Sequence, residues 1–162
     1  MFELMVLATL MCQPCHGYEL KRHLANFNPN NNKIYPTLRN LQEKGFLTSQ
    51  VEVQEARPNR HIYTITEAGQ NRFRELLADF DLVKAQNANE FNLRISFSYL
   101  LDKATMQNVL RLREQALLQQ PAVISLIPNT ADPDDMARVT ALHENLRRLQ
   151  LDFLHKMQRK YR

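Results

Sequence analysis

The sequence predicts a mainly α-helical protein with one small β-hairpin. Glycine occurs only 3 times in 162 residues and tryptophan is absent, whereas helix-favouring Leu, Gln, Arg, Ala and Glu are abundant, which favours helices over a barrel or sandwich. Apolar residues recur at helical spacing along most of the chain, and alternation with a period of two is confined to residues 47–54 and 61–65. With 44% apolar and 23% charged residues, the chain has the composition of a soluble globular protein.

The first predicted helix covers residues 2–11, which are apolar nearly all round and suit a short buried helix that ends at Gln13 and Pro14. This run superficially matches a secretion signal, but Glu3 stands where a basic region is needed, and the bulky Met11 is unlike the small residues of a cleavage site. No apolar run approaches the roughly 18 residues that span a bilayer. We therefore expect a cytoplasmic protein without a membrane partner, whose two cysteines are reduced.

Two further helices are predicted before the hairpin. One covers about residues 17–26, and the other covers about residues 33–44 and ends at Gly45, a typical residue just beyond a helix C-terminus. Pro36 argues for a late start of the third helix, with Asn32 as its N-cap, because the proline then removes only the first intrahelical hydrogen bond. The predicted buried faces consist of Leu20, Leu24 and Phe27 in one helix, and of Ile34, Leu38 and Leu41 in the other.

The hairpin is predicted from residues 47–54 and 61–65, with its tip at residues 55–60. A fourth helix follows with Thr66 as its N-cap, and Gly69 inside it is expected to cost a little stability. Its predicted inward face consists of Phe73, Leu76, Leu77 and Phe80. Three helices followed by a hairpin are typical of a winged helix-turn-helix, in which the third helix enters the DNA major groove and the hairpin contacts the backbone or minor groove.

Charge supports this interpretation locally, because a net charge of +4 and a pI near 9.2 permit an anionic partner without identifying one. The face of the third helix opposite its apolar stripe carries Lys33, Arg39 and Asn40, together with Pro36 and Glu43. Arginine can pair bidentately with guanine and asparagine with adenine, while lysine contacts phosphate. Any solvated helix face can contain such residues. The prediction of DNA binding therefore depends mainly on the order of the helices and the hairpin along the chain.

The predicted wing tip adds two further cations, Arg57 and Arg60, with Pro58 stiffening the turn between them. Cations held in this way suit phosphate or a narrow minor groove, although any loop tip can carry two arginines.

The remaining chain predicts a division into a DNA-binding domain at residues 1–80 and a helical dimerisation domain at residues 81–162. Three helices are predicted in the second half, at about residues 89–101, 105–119 and 134–159. Whether the middle helix continues past Pro121 after a break stays open. The last helix carries a long apolar stripe, which consists of Leu142, Leu146, Leu149, Phe153 and Met157. A stripe of this length predicts a partner surface, here a second copy of the chain.

Several motifs resemble the signature of the PadR family of bacterial transcriptional regulators. They are His16-Gly17-Tyr18-Glu19-Leu20; Ile34-Tyr35-Pro36-Thr37-Leu38 with Leu41 and Gly45-Phe46-Leu47; Arg57-Pro58; and Tyr63-Thr64-Ile65-Thr66-Glu67-Ala68-Gly69. They occur in the family's order over about residues 2–77. The second half resembles more loosely the helical domain of the family's phenolic-acid-responsive and virulence-activator branch, through Glu90, Phe91, Arg94 and Phe97.

The resemblance implies a homodimer whose two recognition helices contact a pseudo-palindromic operator. It also implies that Tyr18 and Tyr35 contact the DNA backbone; the alternative is that each ring packs within the helix pair with its hydroxyl at the rim. A small aromatic effector at the junction between the halves is implied too, and a regulator without any effector is equally compatible. The candidate DNA-binding residues are therefore Tyr18, Lys33, Tyr35, Thr37, Arg39, Asn40, Arg57 and Arg60.

Two other classes of function are weighed. The C-x-x-C-H pattern of haem attachment, which includes part of a thiol redox motif, is matched by Cys12, Cys15 and His16. Haem attachment would need an export signal and thiol redox chemistry a parallel sheet, and the sequence predicts neither. A zinc site at these three residues would lack an evident fourth ligand. Redox sensing by the two cysteines stays a minor alternative. No phosphate loop or catalytic motif is found, so we expect neither enzymatic activity nor a cofactor. The main alternative is a protein-interaction adaptor whose winged helix has lost DNA binding.

Overall fold

Helices dominate both units of the chain, Met1–Asp79 and Phe80–Arg162, and the small sheet found among the described residues lies in the first. The structure is a computed structural model that describes residues 1–25, 31–53, 60–120 and 132–162. The predicted fold class, mainly α with a small hairpin, is confirmed. Within the described residues, no helix combines the length and apolar character needed to cross a membrane.

The described part of the first unit contains a three-stranded antiparallel sheet and four α-helices. In chain order its elements are α1 (Phe2–Cys12), β1 (Cys15–His16), α2 (Gly17–His23), α3 (Asn31–Glu43), β2 (Leu47–Glu52), β3 (Arg60–Ile65) and α4 (Glu67–Ala78). Strand β3 is central and pairs with both β1 and β2. Strand β1 was not predicted, because two residues are too few to show alternation. Cys15 pairs with Tyr63, and His16 with Ile62.

The boundaries of α2 and α3 differ from the predictions. Helix α2 ends at His23 rather than near residue 26, and Phe27 lies outside the described residues. Helix α3 begins at Asn31, so the prediction that Asn32 is its N-cap is wrong and Pro36 lies in its second turn. The proline removes the hydrogen bond to the Asn32 carbonyl, and both residues are exposed, so that water can satisfy that carbonyl.

A compact turn joins α3 to the sheet. Gly45 has φ +73°, its N–H donates to the Gln42 carbonyl over 2.9 Å, and the Phe46 N–H donates to the Leu41 carbonyl over 2.8 Å. This pair of bonds is a Schellman motif, which confirms the glycine predicted just beyond the helix end.

The next turn links this segment to α4. Thr66 is the predicted N-cap, since its hydroxyl accepts from the Gly69 N–H over 3.0 Å, and the same hydroxyl donates to the Gly45 carbonyl over 2.7 Å. The prediction that Gly69 merely costs stability is wrong. A Cβ at this position would lie 2.1 Å from the Phe46 carbonyl oxygen, so only glycine allows α4 to approach the turn behind α3.

The second unit is wholly helical in its described part. Its elements are α5 (Leu82–Gln86), α6 (Ala88–Ser96), a 3₁₀ turn (Ser98–Leu100), α7 (Lys103–Gln119) and α8 (Pro133–Lys160). The sequence prediction missed α5 and extended α6 too far. Side-chain caps divide the segment: Asn87 accepts from the N–H groups of Asn89 and Glu90, and Asp102 accepts from that of Thr105. The possible continuation past Pro121 lies outside the described residues.

One apolar core holds these helices together. Its fully buried members include Ala85, Met106, Val109 and Leu110, and Leu154 is the one described residue of α8 that is buried with them. Arg94 is also buried, with its guanidinium 2.5 Å from the Glu90 carboxylate and 4.5 Å from the centroid of the Phe80 ring. This arginine therefore has both a counter-charge and an aromatic face.

Candidate nucleic-acid interface

Helix α3 has one face in the core and one in solvent. Ile34, Leu38 and Leu41 are buried, as predicted from their spacing. Lys33, Arg39 and Asn40 are exposed and make no side-chain hydrogen bond with another described residue. The core fixes the orientation of the helix, while its outer face keeps two cations and an amide available for an external partner.

Thr37 and Tyr35 occupy the margins of this face. The Thr37 hydroxyl donates to the Lys33 carbonyl over 2.7 Å, so its proton is already engaged and its oxygen is left as an acceptor. Tyr35 is about half exposed, and its ring edge packs against Gly17, where an added Cβ would approach the Tyr35 Cε1 atom to 3.0 Å. Gly17 therefore determines how closely α2 and α3 approach at this point.

A cleft of about 500 Å³ lies beside this contact. Its lining comes from the start of α2, from Tyr35 and from β3, and consists of His16, Gly17, Tyr18, Glu19, Arg22, Tyr35, Arg60, His61 and Tyr63. Tyr18 is largely exposed, whereas Tyr63 is buried, and burial together with the neighbouring phenol of Tyr35 raises the Tyr63 pKa. The cleft thus offers phenol and guanidinium donors, the groups that bind phosphate oxygens.

Two carboxylates near His16 offset part of the positive charge of this cleft. The Glu19 Oε2 accepts from the His16 N–H over 2.9 Å, and this bond is the main reason why the pKa of Glu19 is lowered. Glu52 is the last residue of β2, and its Oε2 lies 3.5 Å from the His16 Nε2 atom. Arg22 and Arg60 are the guanidinium groups of the cleft, so an anion entering it would be oriented towards them.

The predicted wing is described only at its base. β2 and β3 pair from Leu47 with Ile65 to Glu52 with Arg60, which places the exposed Arg60 at the last described pair. Residues 54–59 lie outside the described part of the chain, and the predicted contact residue Arg57 is among them. Sequence reasoning did not select Arg22 or His61, although Arg22 stands in the basic run that ends α2.

The two cysteines of the C-x-x-C-H motif differ in their surroundings, and Cys15 lacks the properties of a reactive thiol. Cys12 is exposed and Cys15 is buried, and both are free. Burial and the nearby charge of Glu19 raise the pKa of Cys15 to about 11, which keeps its thiol protonated at neutral pH. Among the residues that the structure describes, no three His, Cys, Asp or Glu side chains are grouped so as to hold a metal ion.

The predicted dimerisation stripe divides into two parts. Leu142, Leu146, Leu149 and Phe153 keep 56%, 45%, 63% and 43% of their surface exposed within this chain. Met157 instead packs partly against the core of its own unit. The four exposed side chains, hereafter the α8 stripe, form an apolar face of which about half stays exposed within this chain.

The first half of the chain is similar in sequence to known proteins. A model of the family described as "Transcriptional regulator PadR-like family" matches residues 6–75. The "Negative transcriptional regulator PadR" of Bacillus subtilis (strain 168) is 26% identical over 92 residues, an alignment that covers 54% of this chain and 50% of that protein. The chain thus matches about half the length of this curated relative.

Two solved structures are similar over nearly the whole chain. B. subtilis PadR in complex with operator DNA is 17% identical, with 99% of this chain and 98% of that chain covered and a TM-score of 0.48. The PadR-like transcriptional regulator BC1756 from Bacillus cereus is 21% identical, with 99% and 95% covered and a TM-score of 0.41. The match to the family model covers residues 6–75, which include α2, α3 and the described part of the hairpin, and it does not extend to the second unit.

Proposed function

We propose that this protein is a sequence-specific DNA-binding transcriptional regulator that acts as a homodimer on a pseudo-palindromic operator. The observation that carries the proposal is the outer face of α3, where Lys33, Arg39 and Asn40 are exposed directly opposite a fully buried apolar face. A helix anchored in this way can present its side chains to base edges in the major groove without losing its own packing.

Each exposed side chain has a distinct role in this proposal. Arg39 reads a guanine through two hydrogen bonds, Asn40 reads an adenine, and Lys33 contacts a phosphate as a point charge. Beside them, the cleft at α2 and β3 receives the DNA backbone, with Arg60 and the exposed Tyr18 as its outer contacts. These backbone contacts position α3 and add affinity that does not depend on sequence.

The second unit supplies the symmetry of the complex. An uncovered apolar face such as the α8 stripe is unfavourable in water, and a second copy of the same helix would cover it. Two copies related by a twofold axis present two α3 helices, which explains why the operator is expected to be an inverted repeat.

The sense and control of regulation are proposed by comparison with the relatives. The curated relative is named a negative regulator, and B. subtilis PadR has been solved in complex with p-coumaric acid. These names describe that protein. For this chain we extend the proposal to repression that a small aromatic effector modulates.

Gel-shift titration of the purified full chain tests the proposal. The probes are a library of genomic fragments, including the region upstream of the protein's own gene, at two salt concentrations. Selective retention of a few fragments with inverted repeats, weakening steeply as salt rises, is expected because phosphate contacts release counterions. Uniform weak retention would contradict sequence-specific binding, and no retention would favour the adaptor function, whose apolar contacts respond little to salt.

A further inference from the structure

The sheet of the first unit contains a row of paired residues at which the packed part of the hairpin ends. This row, hereafter the base row, consists of Cys15, Tyr63 and Ser49, with Tyr63 paired to each of the other two. Directly paired residues of neighbouring strands point to the same face of a sheet. Cys15 and Tyr63 are buried on that face, and Ser49 is partly buried. The base row is therefore held by the body of the first unit.

Beyond the base row the hairpin has little packing of its own. Strands β2 and β3 continue for three more pairs, which are Gln50 with Ile62, Val51 with His61 and Glu52 with Arg60. Of these six residues only Ile62 is partly buried, and the other five are exposed. Strand β2 also lies at an edge of the described sheet, so β3 is its one neighbouring strand there. The position of Arg60 therefore depends on how the base row is held.

Ser49 is joined to α3 by a hydrogen bond between side chains. The Gln42 Nε2 atom donates to the Ser49 Oγ atom over 2.9 Å. Among the residues that the structure describes, this is the one side-chain hydrogen bond between α3 and the hairpin. Both side chains are partly buried, so water competes with this bond less than it would at an exposed position. The bond therefore fixes the edge strand of the base row to α3.

Gln42 also lies close to the residue of α3 that is proposed to read a base. It follows Arg39 by three positions, and residues three apart are neighbours on the surface of a helix. Leu41 beside it is buried, so the end of α3 that holds the hairpin is itself fixed in the core. A hairpin that moved relative to this end of α3 would change the distance between Arg39 and Arg60.

We propose that Gln42 and Ser49 are positioning residues for DNA binding. Their hydrogen bond holds the hairpin at the angle to α3 that lets Arg60 reach a phosphate while Arg39 reaches a base. A hairpin that is already held in this way loses less conformational freedom when the protein binds DNA. Neither positioning side chain has to touch the DNA. This inference rests on the proposed function, to which it adds the contact that coordinates base reading with backbone binding.

Ser49→Ala, which removes the acceptor of the bond, tests the inference in gel shifts with the selected operator and with an unrelated duplex. Affinity for both should fall about threefold to tenfold, the effect of losing one hydrogen bond of this kind. The slope of log affinity against log salt should become shallower by up to about 1, since the phosphate contact of Arg60 is weakened. The preference at the base position read by Arg39 should stay as in the parent.

Three further variants show whether the bond itself is responsible. Ser49→Thr keeps the hydroxyl and suits a strand, so it should restore the parental affinity. Gln42→Met removes the donor at nearly constant length, and the double variant with Ser49→Ala should lose no more than either single variant, because both remove the same bond. Thr48→Ala removes a hydroxyl from the next residue of β2, which is exposed on the opposite face, and should bind like the parent.

A positioning role is distinguished from a merely structural one by combining Ser49→Ala with Arg60→Ala. The loss caused by Ser49→Ala should disappear in the Arg60→Ala background, because the contact that it positions is already absent. A bond that only stabilised the fold would instead add its loss to that of Arg60→Ala. Additive losses would overturn the inference, as would parental affinity of Ser49→Ala, or a relaxed base preference together with a lowered melting temperature measured by circular dichroism.

The parent chain and Arg60→Ala separate this inference from the proposed function. If the parent binds an operator selectively, any of the contrary results above removes the positioning role alone. Parental binding by Arg60→Ala would likewise overturn only the inference, since no contact at Arg60 would then need to be positioned. If the parent binds no duplex selectively, the proposed function fails and the inference fails with it.

Discussion

Helices α3 and α8 both carry one buried and one exposed face, but their exposed faces differ in chemistry. The outer face of α3 is polar and cationic, with Lys33 and Arg39 in water. The outer face of α8 is apolar over the four residues of the α8 stripe, and Leu154 is the one buried residue among its 28. A polar face is stable with or without a partner, whereas an apolar face of this length is stabilised by being covered.

The different chemistry of these two faces indicates which kind of partner each of them binds. Burying apolar area contributes about 25 cal/mol per Å², so the α8 stripe favours association even without a specific contact. A cationic face contributes through phosphate contacts that weaken with salt, and through base contacts that depend on sequence. Association through α8 should therefore tolerate salt, and association through α3 should not.

The largest effect is expected from disturbing the close approach of α4 to the turn that follows α3. Gly69→Ala places a Cβ 2.1 Å from the Phe46 carbonyl oxygen, and because backbone must move, the first unit should lose about 3 kcal/mol or more of stability. Urea unfolding followed by circular dichroism measures this. Gly45→Ala is the control: it has open space but φ +73°, and should cost about 1 kcal/mol. Equal costs for both variants would contradict the close approach at Gly69.

The next largest effect should separate the two faces. Leu149→Glu puts an unpaired carboxylate on the α8 stripe and should weaken self-association roughly hundredfold, since burying that charge costs several kcal/mol. Sedimentation over a range of protein concentrations measures it, together with a gel shift that should show poorer operator affinity. Ala137→Glu adds the same charge at an exposed α8 position off the stripe and should leave the association unchanged. An unchanged dimer in Leu149→Glu would place the interface elsewhere.

Removal of a base contact should have a smaller and more selective effect. Arg39→Ala is expected to cost about 1 to 3 kcal/mol of operator affinity and to relax preference at one base position. Gel shifts against operators substituted at single positions measure the change. Arg74→Ala removes an exposed arginine of α4 and serves as the control. The assignment of Arg39 fails if both variants bind every operator like the parent.

A backbone contact should respond differently from a base contact. Arg60→Ala is expected to weaken binding to all sequences alike and to reduce the slope of log affinity against log salt by about 1, because one phosphate contact is lost. The slope is measured with the operator and with an unrelated duplex. A loss confined to the operator would instead make Arg60 a base-reading residue.

The smallest effect on stability is expected for Glu114, whose carboxylate joins α7 to α8. Glu114 on α7 accepts from the Gln158 Nε2 over 2.8 Å and lies 2.9 Å from the His155 Nε2, and these contacts lower its pKa below the usual 4.5. A lowered folded-state pKa stabilises the fold above pH 4.5, and this contribution is lost as the pH falls through the folded value. Glu114→Gln should therefore flatten the acid decline of thermal stability, by less than about 1 kcal/mol. Glu144→Gln, on the exposed side of α8, should keep the parental decline.

Local signals explain which elements could be predicted from the sequence. The buried positions of α3, the cap at Thr66 and the turn at Gly45 depend on residues that are neighbours in the chain, so their spacing already indicates them. Strand β1 could not be predicted, because its partner β3 is distant in the chain and two residues show no period. The early start of α3 was missed because Pro36 suggested that the helix begins later. The Asn32 carbonyl, which loses its hydrogen bond at Pro36, is exposed to water, so the helix can begin before the proline.

The candidate site follows the same division. Lys33, Arg39 and Asn40 could be selected from the helical projection of α3, whereas Arg22 and His61 join the cleft only because α2 packs beside β3. The need for glycine at position 69 could likewise not be predicted, since it depends on atoms brought together from α4 and from the turn after α3.

By itself, the sequence determined the helical class, the hairpin, the polar outer face of α3 and the apolar stripe of α8, because periodicity within one element decides which residues share a face. Only the tertiary structure decided which faces are covered. It buried Leu154 and left most of the Leu149 surface exposed, because burial depends on what packs against a side chain and not on its neighbours in the chain.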